Sequence, residues 1–100
     1  MEGLQPGRIV YFVFDDHSAA EVNRRRSPSD VGTARWPAAA QAHVGNIVRS
    51  GDHAPAMVVR VWTEGTVNLK VMLDGSDEYW VTSVRFDEHG NPRTWHNSGL

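Results

Sequence analysis

The sequence predicts an α+β fold: a small SH3-like β-barrel, or a curled antiparallel sheet, with a short helical insertion between strands one and two. Three observations point there. A β-branched and aromatic run occupies Arg8-Ile9-Val10-Tyr11-Phe12-Val13-Phe14. The stretch from Asn23 to Asn46 then collects cations, amides, an imidazole and a tryptophan without any sheet periodicity. From Gly45 onward, apolar and polar residues alternate in short runs punctuated by glycine and aspartate. A chain of 100 residues has room for one domain, 1–100. Such a domain buries only about 60 to 70 per cent of its unfolded surface, so pairing of identical chains is a natural way to bury more.

The first strand is expected over 8–14, introduced by Pro6-Gly7 and apolar on both faces, as a strand covered on both sides would be. The insertion is expected over 18–42. It opens on Ser18-Ala19-Ala20-Glu21, the spacing of a capping box in which the serine hydroxyl accepts from a free amide and the glutamate reaches back. A short helix follows to about Arg26 and ends at Ser27-Pro28-Ser29, where the proline ring removes a donor and forces Ser27 out of helical geometry. Beyond it a loop with one more helical turn, around 29–34, leads into an antiparallel meander over 44–86.

In the meander, Met57, Val59 and Val61 share one face, and Val58, Arg60 and Trp62 the other. Val67, Leu69, Val71 and Leu73 likewise stand opposite Thr66, Asn68, Lys70 and Met72. Glu64-Gly65 and Asp74-Gly75 supply tight turns, since these residues tolerate the positive φ of two-residue hairpins. A further strand is expected from about Glu78 to Phe86, with 47–49 and the first strand available to close the sheet and remove its edges. The tail, 87–100, is rich in turn residues at Gly90-Asn91-Pro92, and Trp95 is expected to fold back onto the barrel.

Composition narrows the function. A net charge of −2 and a pI near 6.2 argue against a dedicated duplex-DNA binder, whose pI usually exceeds about 9. Cysteine is absent, which excludes disulfides and thiolate zinc sites and fits a reducing cytoplasm. No apolar run reaches the roughly 18 residues of a membrane-spanning helix, and Met1-Glu2-Gly3-Leu4-Gln5-Pro6-Gly7 is unlike a signal peptide. A soluble, intracellular protein without membrane partners is the expectation.

The candidate ligand-binding residues are Asn23, Arg24, Arg25, Arg26, Trp36, Gln41, His43, Gly45 and Asn46. Guanidinium forks grip phosphate bidentately. Successive helical residues are about 100° apart, so two of the three arginines, not all three, can address one ligand from a helix end. The competing reading is a solvated helix terminus whose cations offset the dipole. Gln41, His43 and Asn46 lie among alanines and glycine, where short polar groups can read a base edge or ribose. Trp36 can stack on such a base or simply plug the core.

Catalytic groups do not assemble from the sequence: Ser50 and Ser83 lack a base and an orienting acid, and no Gly-x-Ser-x-Gly elbow occurs. The 5 histidines, His17, His43, His53, His89 and His96, show no metal-ligand spacing, so neither a metal nor another cofactor is expected. Arg60, Trp62, Asn68, Lys70 and Tyr79 form a second candidate surface, an outward sheet face able to bind single-stranded nucleic acid or to pack against a partner.

Val22-Asn23-Arg24-Arg25-Arg26, Trp36-Pro37, Gln41-Ala42-His43-Val44-Gly45-Asn46, Gly51-Asp52, Val59-Arg60-Val61-Trp62, Val67-Asn68, Leu73-Asp74-Gly75 and Trp80-Val81-Thr82-Ser83 follow one another over nearly the whole chain. In order and spacing they resemble the signature blocks of small, mostly uncharacterised proteins encoded by tailed bacteriophages and prophages. Ala39 departs from the glycine that the resemblance leads one to expect, which stiffens the loop. The resemblance implies a viral accessory protein acting in the cytoplasm of an infected bacterium. Several small phage proteins sequester nucleotide signals of host defence, a role that needs a tight site and no chemistry. The resulting expectation is a non-enzymatic, homo-oligomeric sponge for a small anionic nucleotide of cyclic or cyclic ADP-ribose type. Single-stranded nucleic-acid binding and a protein-protein inhibitor module are the alternatives.

Overall fold

Chain order and barrel order coincide. A computed structural model describes residues 3–25 and 45–97. In it, β1 (Ile9–Val13), β2 (His53–Thr63), β3 (Thr66–Met72), β4 (Glu78–Phe86) and β5 (Thr94–His96) close into a barrel, with α1 (Asp16–Arg24) inserted after β1. This is the small SH3-like barrel with a helical insertion after strand one. No helix among the described residues is long and apolar enough to cross a membrane.

Strand β1 points Val10 and Phe12 into the core, both fully buried. Cover on both faces, expected along the whole strand, holds only toward its C-terminal end, where Val13 is buried; Ile9 stays 45 % exposed. The helix starts earlier than its sequence suggests. Asp15, not Ser18, is the N-cap: its carboxylate accepts from the Ser18 amide at 2.8 Å while the Asp15 amide donates to the Ser18 hydroxyl at 3.0 Å. A carboxylate is as good a cap as a hydroxyl, and here the serine takes the reciprocal role expected of Glu21.

That cap is acid-sensitive. Burial pushes the Asp15 carboxyl up, but the hydrogen bonds from Ser18 outweigh it and Arg93 adds to them, so its pKa lies below the usual carboxylate value. A depressed carboxylate contributes stability that is present above the unfolded pKa, near 4, and is lost as pH falls through the lower folded value. Asp15→Ala is therefore expected to cost about 1 kcal/mol at pH 7, and the difference from wild type in urea denaturation should shrink as pH falls below the usual carboxylate range. An equal difference at neutral and at low pH would contradict the charged cap.

Strand β2 does not alternate as the sequence suggests. Its register against β3 shifts between Val58 and Arg60 and again between Val61 and Thr63. The extra residue of a bulge turns the following side chains to the other face. Ala56 and Val58, before the first bulge, are buried, and Val61, after it, packs against the core, while Met57 and Val59 are exposed. In β3, Val67, Leu69 and Val71 are fully buried, as the alternation predicts. Asn68 breaks the pattern. It is buried opposite a bulge in β4, in which Ser83 takes φ 54°, and its side-chain oxygen accepts from the Ser83 amide at 3.0 Å and from Trp62 Nε1 at 2.8 Å. The same bulge brings both Val81 and Val84 into the core.

Glu64-Gly65 forms the expected tight turn between paired Thr63 and Thr66, with Gly65 at φ 83°. Asp74-Gly75 does not form one; it lies within the longer connection 73–77, where Gly75 bridges to Gly45. Nor does 47–49 close the sheet. Closure comes from β5, antiparallel to β1 through Phe12↔Trp95 and parallel to β4 through Phe86↔Trp95. Trp95 is fully buried, packs edge-on against Phe86 at 4.9 Å, and donates from Nε1 to the Gly65 carbonyl at 2.9 Å.

Candidate functional site

Helix α1 has two working faces. Ser18, Ala19 and Val22 are buried against the barrel, which leaves His17, Glu21 and Arg24, spaced by four and three residues, along one flank. This flank runs beside β4. Tyr79 is paired with buried Val71 and is half-buried, its ring 6.3 Å from Phe14. Trp80 is paired with Lys70 on the outer side and remains 58 % exposed.

Between helix and strand lies a cleft of about 390 Å³ lined by Glu21, Arg24, Arg25, Tyr79 and Trp80. A smaller hollow of about 210 Å³ shares Glu21, Tyr79 and Trp80 with it and adds His17, Thr82 and Arg93. The larger volume lies at the low end of the roughly 300–1,000 Å³ of small-molecule sites.

The charges in this cleft are held apart. Arg25 turns to the barrel: a guanidinium nitrogen lies 3.5 Å from Asp77 Oδ2 and donates to the Glu78 carbonyl at 3.4 Å, and the group sits 5.7 Å from the Tyr79 ring centre. Glu21 turns back to His17, with 2.6 Å between Oε1 and Nε2. Arg24 makes no hydrogen bond or ion pair among the described residues and is exposed. Burial pushes the Tyr79 phenol above its ordinary pKa; the charge of Glu21 acts the same way, Arg93 opposes it, Asp15 raises it and Arg25 lowers it. At neutral pH the phenol is thus a hydrogen-bond donor.

Of the residues singled out from the sequence, Arg24 and Arg25 line the cleft. Asn23, Gly45 and Asn46 are occupied elsewhere. The Asn23 amide donates to the Val48 carbonyl and accepts from the Val48 amide, both at 2.7 Å, copying the pairing of a neighbouring strand. Gly45 forms the bridge to Gly75. The Asn46 side chain donates to Asp74 Oδ2 at 2.6 Å and its backbone amide to the Asp74 carbonyl at 2.9 Å. These residues pin 45–48 to α1 and to the 73–77 connection. Arg26, Trp36, Gln41 and His43 lie outside the described residues.

The second candidate surface does not assemble as one face. Arg60 stacks 3.9 Å from the Trp62 ring centre, Asn68 is buried beneath that ring's N–H, Lys70 pairs with Glu78 at 3.1 Å, and Tyr79 belongs to the helix side. The bulges in β2 and β4 turn Arg60, Trp62 and Asn68 out of simple alternation, and Tyr79 faces the opposite side from Lys70's partner Trp80.

Glu21 and Trp80 are cleft residues that the sequence did not single out. The alternation of β4 marks Trp80 as outward, but only the docking of α1 makes it part of a site. Strand pairing across β1 also brings His53 Nδ1 within 2.8 Å of His96 Nε2, with Tyr11 stacked on His96. Among the described residues no cluster of three metal-ligating side chains exists, and two imidazoles fall short of a zinc site. No protein-family model, characterised protein or solved structure matches this chain.

Proposed function

We propose that the chain is a non-catalytic binding protein that captures a nucleotide-derived ligand in the cleft between α1 and β4. One observation carries this reading: an exposed guanidinium, Arg24, which has no hydrogen-bond or ion-pair partner among the described residues, shares a cleft with an exposed tryptophan, Trp80. The first suits a phosphate. The second suits the π-face of a base, a contact worth about 1–3 kcal/mol in single-strand binders. Combined with the resemblance to phage proteins, the reading becomes sequestration of a nucleotide immune signal, of cyclic nucleotide or cyclic ADP-ribose type, in the infected host's cytoplasm.

A second reading, self-association, is favoured by the outer barrel face. Ile9, Met57, Lys70 and Trp80 are aligned across β1 to β4, and Ile9, Met57 and Trp80 are exposed along with Met72. Burying such a row is a common reason for homo-oligomers; a monomeric mass by light scattering would reject it.

The capture reading is tested by thermal denaturation against linear nucleotides, cyclic di- and trinucleotides, cyclic ADP-ribose isomers and short oligonucleotides. A ligand at about a hundred times its Kd adds roughly 2.7 kcal/mol, several degrees for a domain this size. Arg24→Ala is expected to abolish that shift and leave the ligand-free midpoint within about a degree, because Arg24 is exposed and makes no hydrogen bond or ion pair among the described residues. Recovery of the ligand unaltered after denaturation is expected of sequestration. A protein that melts cooperatively and shifts with none of these compounds would overturn the reading.

A further inference from the structure

The cleft contains a carboxylate that an anion-binding site does not need. Glu21 lies within helical reach of Arg24 and Arg25, at i+3 and i+4, where an ion pair would ordinarily form. Instead its Oε1 is paired with His17 one turn back, while Arg25 is paired with Asp77. The acid and Arg24, which has no partner among the described residues, therefore line the same cleft without pairing with one another. A carboxylate offers acceptors only. A bound anion would be repelled by it unless the ligand also presents N–H donors at that point. The cleft asks for three things at once: an anionic group for Arg24, a flat ring for Trp80, and donors for Glu21.

Resting on the nucleotide reading above, we propose that the site selects a guanine-type base, with Glu21 as the specificity-determining residue. Guanine presents two adjacent donors, the ring N1–H and the exocyclic amino group, which match the two oxygens of one carboxylate. Adenine offers a single donor beside an acceptor, and hypoxanthine keeps the N1–H but lacks the amino group. Phosphate falls to Arg24 and the ring face to Trp80. His17, through Oε1, fixes the carboxylate's orientation, and the exposed Glu21 side chain, 39 % accessible, remains open to a ligand.

Calorimetric titration of the full chain with GMP, IMP and AMP, and with cyclic di-GMP and cyclic di-AMP, tests the assignment. In wild type, guanine compounds should bind at least about tenfold more tightly than their adenine counterparts, with IMP between, as expected for hydrogen bonds to a charged acceptor. Glu21→Gln should lower affinity for guanine compounds by at least about tenfold without weakening adenine compounds, since an amide offers one acceptor and one donor and so complements adenine's edge better than guanine's. Equal loss for both bases, or no preference in wild type, would overturn the assignment of Glu21 while leaving nucleotide capture standing. Failure of every compound to bind the wild type would overturn capture and this inference with it. An unchanged melting midpoint in Glu21→Gln shows that the barrel is intact.

Discussion

Trp95→Ala is expected to remove about 3–5 kcal/mol of stability, the usual cost of truncating a buried aromatic to alanine. Trp95 is fully buried where β5 closes the barrel between β1 and β4, packed on Phe86. Its indole N–H also satisfies the carbonyl of Gly65 in the β2–β3 turn. A domain of this size has only about 5–15 kcal/mol in total, so the variant should melt well over 10 °C lower or fail to fold. Trp95→Phe retains most of the packing and loses the hydrogen bond, and should fall between the two. A Trp95→Ala midpoint within a few degrees of wild type would mean that β5 does not close the barrel.

Asn68→Leu is expected to cost about 2–3 kcal/mol despite exchanging a polar residue for an apolar one in a buried position. The amide oxygen accepts from two donors, and they are not equivalent. Trp62 is 49 % exposed, so its N–H can turn to water. The Ser83 amide belongs to a bulged backbone held at positive φ, a conformation that costs a non-glycine residue about 1–2 kcal/mol by itself. Leaving that amide without an acceptor adds about 1–3 kcal/mol. Trp62→Phe, which deletes the exposed residue's N–H donor and keeps an aromatic ring for Arg60 to stack on, should cost under about 1 kcal/mol. Equal losses in urea denaturation for Asn68→Leu and Trp62→Phe would show that the bulge does not depend on Asn68.

These residues also show where the sequence is transparent. Strand β3 is legible because Val67, Leu69 and Val71 recur at every second position, and β4 because its ends carry clear turn residues. The inward face of β2 is not legible, since the bulge at Val59 has no local signature and reverses what alternation assigns. The closing strand hides for another reason. Thr94–His96 is too short for any periodicity, and only its distant partners in β1 and β4 make it a strand. Among the site residues, the charges of Arg24 and Arg25 stand out in a sequence. An amide such as Asn23 looks the same whether it bonds a ligand or, as here, the backbone of Val48. Trp80 and Glu21 become neighbours only through the docking of α1 on the barrel, which no spacing in the chain encodes.

Closure by β5 carries a kinetic cost. Its pairing with β1 joins segments near opposite ends of the described residues, so the fully buried pair Phe12 and Trp95 is brought together across most of the chain. Proteins dominated by such non-local pairings fold in milliseconds to seconds, not microseconds. During synthesis the hairpins β2–β3 and β3–β4 can form as soon as they emerge, whereas β1 must wait with one edge unpaired until Trp95 has left the ribosome. In that interval the open barrel exposes the strand edge that its own last strand will cover, and a second nascent copy offers the same sequence as a substitute.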